Sequence, residues 1–149
     1  MEKGAQLQLP ADRKSLTPIR QFIRHQAQEW GITPAITEGI LLAVDEAATN
    51  IILHGYQEQG GDIEIFLTRE GDDLFIHLYD HAPPFDPMTV APPDMSLPLD
   101  QRPIGGMGVP LIRQTMDTII HRVTPHGGNE LTMIKQKVFV HHEDNFEDY

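Results

Sequence analysis

Between residues 36 and 56 the chain carries two stripes at helical spacing. Ile40, Val44, Ala47 and Ile51 recur at steps of three and four, which on a helix stack into one apolar face that has to be buried. On a neighbouring line Glu46, Asn50 and His54 follow at four-residue steps, so about 3.6 residues per turn puts a carboxylate, an amide and an imidazole in one column. Asparagine competes with the backbone for hydrogen bonds and is a middling helix former, so packing gives no reason for it there. The column fits either a solvated flank or the floor of a pocket.

The remaining pattern predicts the elements around this helix. Leu7 and Leu9 alternate with glutamines, giving a half-buried strand over residues 5–9 that Pro10 ends. Asp12 or Ser15 is placed to cap a helix whose core stripe is Ile19, Phe22, Ile23, Ala27 and Trp30, and Gly31 stops it. Thr33 with Pro34 starts the central helix, Thr37 being a second possible start, and Gly55 with the Gly60-Gly61 pair closes it. Ile63, Ile65 and Leu67, then Leu74, Ile76 and Leu78, read as a hairpin turning at Gly71-Asp72 and ending at Asp80. Residues 82–103 have neither period and hold Pro83, Pro84, Pro87, Pro92, Pro93, Pro98 and Pro103, the composition of a lid. After it come Gly105, Gly106 and Gly108, then Pro110 and the helical pattern Leu111, Ile112, Thr115 and Met116. Residues 119–123 and 131–140 read as two more strands joined across His126-Gly127-Gly128-Asn129.

Composition narrows the reading. At 149 residues the chain is one domain's worth, expected to fold over 1–140, with 141–149 as a flexible acidic tail. The absence of cysteine excludes disulfides and thiolate metal sites. Residues 1–10 show no basic segment followed by an apolar run, and no run of about 18 apolar residues occurs, so a cytoplasmic protein away from membranes is expected. A net charge of -11 argues against a nucleic-acid backbone as direct partner. An anionic ligand then needs a local cradle, and glycines that run into a helix N-terminus, where free N–H groups point outward, are one. His141, His142 and Glu143 sit adjacent on the tail and point apart, so no metal site is expected there, and His25, His77, His121 and His126 read as ordinary histidines.

Three segments then stand in order: Asp45-Glu46-Ala47-Ala48-Thr49-Asn50-Ile51-Ile52-Leu53-His54, Asp80-His81-Ala82-Pro83-Pro84-Phe85-Asp86-Pro87, and Gly105-Gly106-Met107-Gly108-Val109. At these separations, with a proline-rich lid between the second and third, they resemble the boxes of the histidine-kinase-like ATPase superfamily (GHKL, the Bergerat fold). The sequence is similar there to the stand-alone anti-sigma-factor serine kinases over nearly its whole length. The resemblance implies an α+β, two-layer sandwich: a mostly antiparallel sheet with three main helices on one face and an ATP lid at about 82–105.

It also implies roles. Glu46 would act as general base on a hydroxyl or water, and Asn50 would ligate magnesium as a neutral oxygen. Asp80 would accept from the adenine amino group, and Gly105, Gly106, Met107, Gly108 and Val109 would wrap the phosphates. His54 would be a minor phosphate or packing contact. Two positions depart from the pattern. Ala82 stands where glycine is usual, which leaves the backbone less able to approach the base or take a positive φ; Gly128 is followed by Asn129 where threonine is common, and the amide is a possible substitute donor. The family's members pair with a copy of themselves, bind a sigma factor, and use Mg-ATP to phosphorylate a serine on an anti-anti-sigma (STAS-type) protein. A non-catalytic ATP-binding switch and a detached histidine-kinase catalytic domain are the alternatives.

Overall fold

Period-two alternation builds one five-stranded sheet from β1 (Gly4–Pro10), β2 (Asp62–Glu70), β3 (Asp73–Asp80), β4 (Thr118–Val123) and β5 (Asn129–Lys135). The computed structural model describes residues 4–89 and 108–139, and residues 96, 98 and 100 between them. The strand order is β1-β2-β3-β5-β4 and every neighbouring pair is antiparallel. Register carries apolar rungs across the sheet: Ala5, Leu67, Ile76, Met133 and Ile119 form one, and Leu7, Ile65, Leu78 and Leu131 most of the next. These side chains share a core with α1 (Leu16–Glu29), α2 (Pro34–Asn50) and α3 (Gly108–Thr115), so the helices cover that face. The architecture is the expected α+β one.

Ile19 and Ile23 of α1, Ile40 and Val44 of α2 and Ile112 of α3 meet Ile65, Ile76 and Leu78 with almost no exposure. Burial of each such side chain is worth about 1.5–3 kcal/mol, which outweighs helix propensity in fixing these elements. Asp12 accepts from Lys14 N at 2.8 Å and caps a short 3-10 turn, Arg13–Ser15, that leads into α1; Ser15 makes no side-chain cap bond. Gly31, at φ +69, takes the left-handed position past the end of α1. Thr33 caps α2 by accepting from Ile36 N, with Pro34 in the first turn, and the Thr37 hydroxyl is spent inside that turn on Thr33 O.

Two boundaries differ from the sequence reading. The α-helix stops at Asn50, and Ile51–Gly55 form a π-helical turn closed by Tyr56 N donating to Ile51 O at 2.8 Å. One residue more per turn cannot be seen in a pattern that already tolerates steps of three and four. The last strand starts at Asn129, which therefore lies in the sheet and not in the turn, and it ends at Lys135 rather than 140, because Lys137 takes φ +60 and breaks the extended run. Val138 and Phe139 come back to the core, both N–H groups donating to Asp72 O, with Phe139 edge-on to Trp30 at 5.8 Å and under the Arg69 guanidinium at 4.2 Å. The expected tail, 141–149, lies outside the described residues, as does most of the expected lid.

Candidate functional site

Parity along β3 decides where Asp80 points. Leu74, Ile76 and Leu78 face the helices, so Asp80, two residues further, faces them too, at the end of the rung Leu9, Ile63, Asp80, Asn129 and Val123. Its carboxylate is buried at 3% exposure, and Oδ1 accepts from Ala82 N at 3.0 Å and Asn129 Nδ2 at 2.8 Å. Burial pushes the carboxyl above its ordinary value; the Asn129 and Ala82 donors, with His81 and His121 nearby, work in the opposite direction.

The segment that follows is held from both sides. Asn129 Nδ2 also lies 3.2 Å from Ala82 O and 3.1 Å from Pro83 O, while its Oδ1 accepts from Phe85 N at 2.9 Å and sits 2.8 Å from His121 Nε2. The Tyr56 hydroxyl donates to Asp62 O at 2.7 Å and accepts from His81 N at 2.6 Å. Ala82 is buried and does not adopt a positive φ, so its methyl group brings no backbone strain, and its N–H is spent on Asp80.

On α2 the structure keeps two of the three polar residues together. Asn50 is fully buried; Nδ2 donates to Pro87 O at 3.2 Å, and Oδ1 has no hydrogen-bond partner among the described residues. Glu46, one turn earlier, is half-buried, and burial followed by the charge of Asp45 raises its pKa. Asp45 itself accepts from Arg20 Nε at 2.7 Å, a bond that raises the guanidinium pKa. His54 leaves the column. The π turn carries its ring to Phe85, with centroids 6.3 Å apart, and leaves Nε2 buried and without a hydrogen-bond partner among the described residues. A cavity of about 540 Å³ opens there, lined by His54, Tyr56, His81, Ala82 and Phe85 among others, while Glu46, Asn50 and Asp80 do not form its walls.

Of the glycine segment, Gly105, Gly106 and Met107 lie outside the described residues, Gly108 opens α3, and the Val109 side chain is buried in the core. Among the described residues no group of three or more His, Asp or Glu is able to enclose a metal ion. The Asn50 amide oxygen, unpaired among the described residues and one helical turn from Glu46, instead suits magnesium, an oxygen-seeking ion that takes one or two protein ligands and the rest from phosphate and water. The donor set therefore fits a magnesium nucleotide. Sequence reasoning did not anticipate that Asn129 serves Asp80, nor that Tyr56 braces His81: both depend on strand register and on a turn that bring distant residues together.

Residues 9–135 match the family model described as the histidine kinase-like ATPase domain. The chain is 32% identical over 118 residues to a serine-protein kinase RsbW of Bacillus cereus, covering 76% of this chain and 74% of that protein. Identity and coverage are the same for the RsbW of Bacillus thuringiensis subsp. konkukian, and that of Bacillus mycoides is 31% identical at equal coverage. Among solved structures, the RsbU and RsbW domains of Rv1364c from Mycobacterium tuberculosis align with a TM-score of 0.63 over 90% of this chain at 17% identity, a likeness of fold. The chain spans 32% of that polypeptide.

Proposed function

We propose that this chain, which belongs to the histidine kinase-like ATPase family, is an anti-sigma regulatory factor that uses Mg-ATP to phosphorylate a serine on an anti-anti-sigma protein of the STAS type. The relatives at 32% identity are named serine-protein kinases, and that name supports serine as the acceptor. Bound Mg-ATP supplies the phosphoryl group and the neutralising charge that its transfer needs. Asn50, held through Nδ2 by Pro87 O, would offer the metal its Oδ1, which has no partner among the described residues. Glu46, with a pKa raised by burial, takes the proton of the serine hydroxyl. Asp80 accepts from the amino group of the base, and the backbone N–H groups of residues 105–109, the last two of which open α3, hold the phosphates. His54 serves the loop after β3 through Phe85. A sigma factor and a second copy of the chain are the other partners of this reading, in the cytoplasm. None of the described helices is long and apolar enough to cross a membrane.

The observation that carries the reading is Asn50, a fully buried amide whose oxygen is unpaired among the described residues, one helical turn from a carboxyl of raised pKa. Incubation with magnesium, labelled ATP and a candidate antagonist tests it. Label on serine, lost in Glu46→Gln with ATP binding retained, is the expected result. Label on histidine would point to a detached histidine-kinase domain, and binding without transfer to a nucleotide switch.

A further inference from the structure

The amide of Asn129 has one possible orientation. Its nitrogen faces three acceptors, Asp80 Oδ1, Ala82 O and Pro83 O, and its oxygen takes the N–H of Phe85. Reversing the amide would set oxygen against three oxygens. The neighbouring His121 Nε2, 2.8 Å from Asn129 Oδ1, must therefore carry a hydrogen. Asn129 is 1% exposed, so these bonds form without competition from water. Both bonds to the Asp80 carboxylate end on Oδ1, which leaves Oδ2 without a bond among the described contacts. Gly128 makes the approach possible, because a Cβ there would lie 2.2 Å from Asp80 O.

We propose that Asn129 is the positioning residue that locks Asp80 in one orientation, so that the site selects adenine over guanine. The proposal rests on the nucleotide reading above. An adenine edge presents an amino group where guanine presents a carbonyl oxygen. A carboxylate held at one edge accepts from the first and repels the second. A carboxylate free to turn also finds the ring N–H and amino group of guanine, and the choice is lost.

The test compares ATP and GTP affinity by calorimetry in the parent, Asn129→Ala and Asn129→Thr, with thermal unfolding as a check of folding. The parent is expected to prefer ATP. Asn129→Ala is expected to weaken ATP about tenfold and bring the ATP:GTP ratio toward one; Asn129→Thr, which keeps a hydroxyl donor, restores part of the ratio. A second readout needs no nucleotide. Carbon-detected titration of Asp80 is expected to move to higher pH in Asn129→Ala and back in Asn129→Thr, since the lost donor favours the charged carboxylate. His81, His121 and Tyr56 are the other titrating groups around Asp80. A lowered unfolding temperature with the ratio and the Asp80 titration unmoved overturns the proposal and leaves Asn129 a structural residue. A parent that binds no ATP overturns the nucleotide reading and this one with it. If the alanine variant does not fold, Asn129→Thr with an ATP:GTP ratio reduced from the parent's and the Asp80 titration raised supports the proposal, and Asn129→Thr with both at the parent's values overturns it.

Discussion

An unpaired oxygen on a fully buried amide costs a packed interior about 1–3 kcal/mol, and Asn50, whose oxygen has no partner among the described residues, carries that cost on a helix where Thr37 is the other buried polar side chain. Asn50→Leu keeps the branched outline with more bulk, and removes both the orphan oxygen and the donor to Pro87 O. Calorimetry on the folded variant, with thermal unfolding of the nucleotide-free protein as the check of folding, is expected to show the magnesium dependence of ATP binding gone; a folded variant that keeps metal-dependent binding would remove Asn50 from the site. Glu46 leads to a prediction in pH. Burial, then Asp45, raises its pKa above 4.5, and a base works only when deprotonated, so phosphate transfer falls as pH drops through that raised value. Asp45→Asn takes away the second cause and moves the acid limb of the rate profile to lower pH. An unmoved limb would assign it to another group.

At the level of elements, the hairpin β2–β3 and the start of α2 were legible because alternation, Gly71 and the Thr33-Pro34 pair act locally. The π turn was not. Glu46, Asn50 and His54 are equally spaced in sequence, and only the packing of Gly55 and Tyr56 against the loop after β3 reveals that the last of them has rotated toward Phe85. Asn129 was misplaced for a related reason. A Gly-Gly-Asn run reads as a turn, yet pairing with Asp80 and Val123 pulls Asn129 into the sheet. Gly128 tests how tight that junction is. A methyl group 2.2 Å from Asp80 O has no flexible neighbour to displace, so Gly128→Ala must move one of the two strands. A loss of about 1–3 kcal/mol in chemical unfolding is expected, with ATP affinity reduced because Asp80 shifts. A variant as stable as the parent would mean that the strands separate freely there.

For the whole molecule, the sheet divides two kinds of chemistry. The helix side is apolar through its middle rungs, with Asp80, Asn129 and His121 at one end and Arg69 and Lys135 at the other; the opposite face carries Tyr79, Glu130 and Arg122 side by side on β3, β5 and β4. Glu130 accepts from Tyr79 and Arg122 and is only 6% exposed, shielded by its own partners. Burial pushes its carboxyl up, but the bonds from Tyr79 and Arg122 outweigh that and hold it below 4.5. Because that pKa is depressed, its stabilisation is present above 4.5 and is lost as pH falls through the lower folded value. Tyr79 runs the other way: burial, then the bond to Glu130, push its hydroxyl up from 10.0 to about 12, so its contribution is complete below 10.0 and is lost as pH rises toward 12. In a chain of net charge -11, alkaline pH adds repulsion to that loss. Glu130→Gln keeps an acceptor for Tyr79 but removes the charge. Ultraviolet titration of phenolate is expected to place Tyr79 closer to 10.0 in that variant, and its alkaline unfolding should begin at lower pH than the parent's. Equal curves for the two proteins would mean that burial alone raises Tyr79, and that the polar row on the open face contributes nothing to holding β3, β5 and β4 in register.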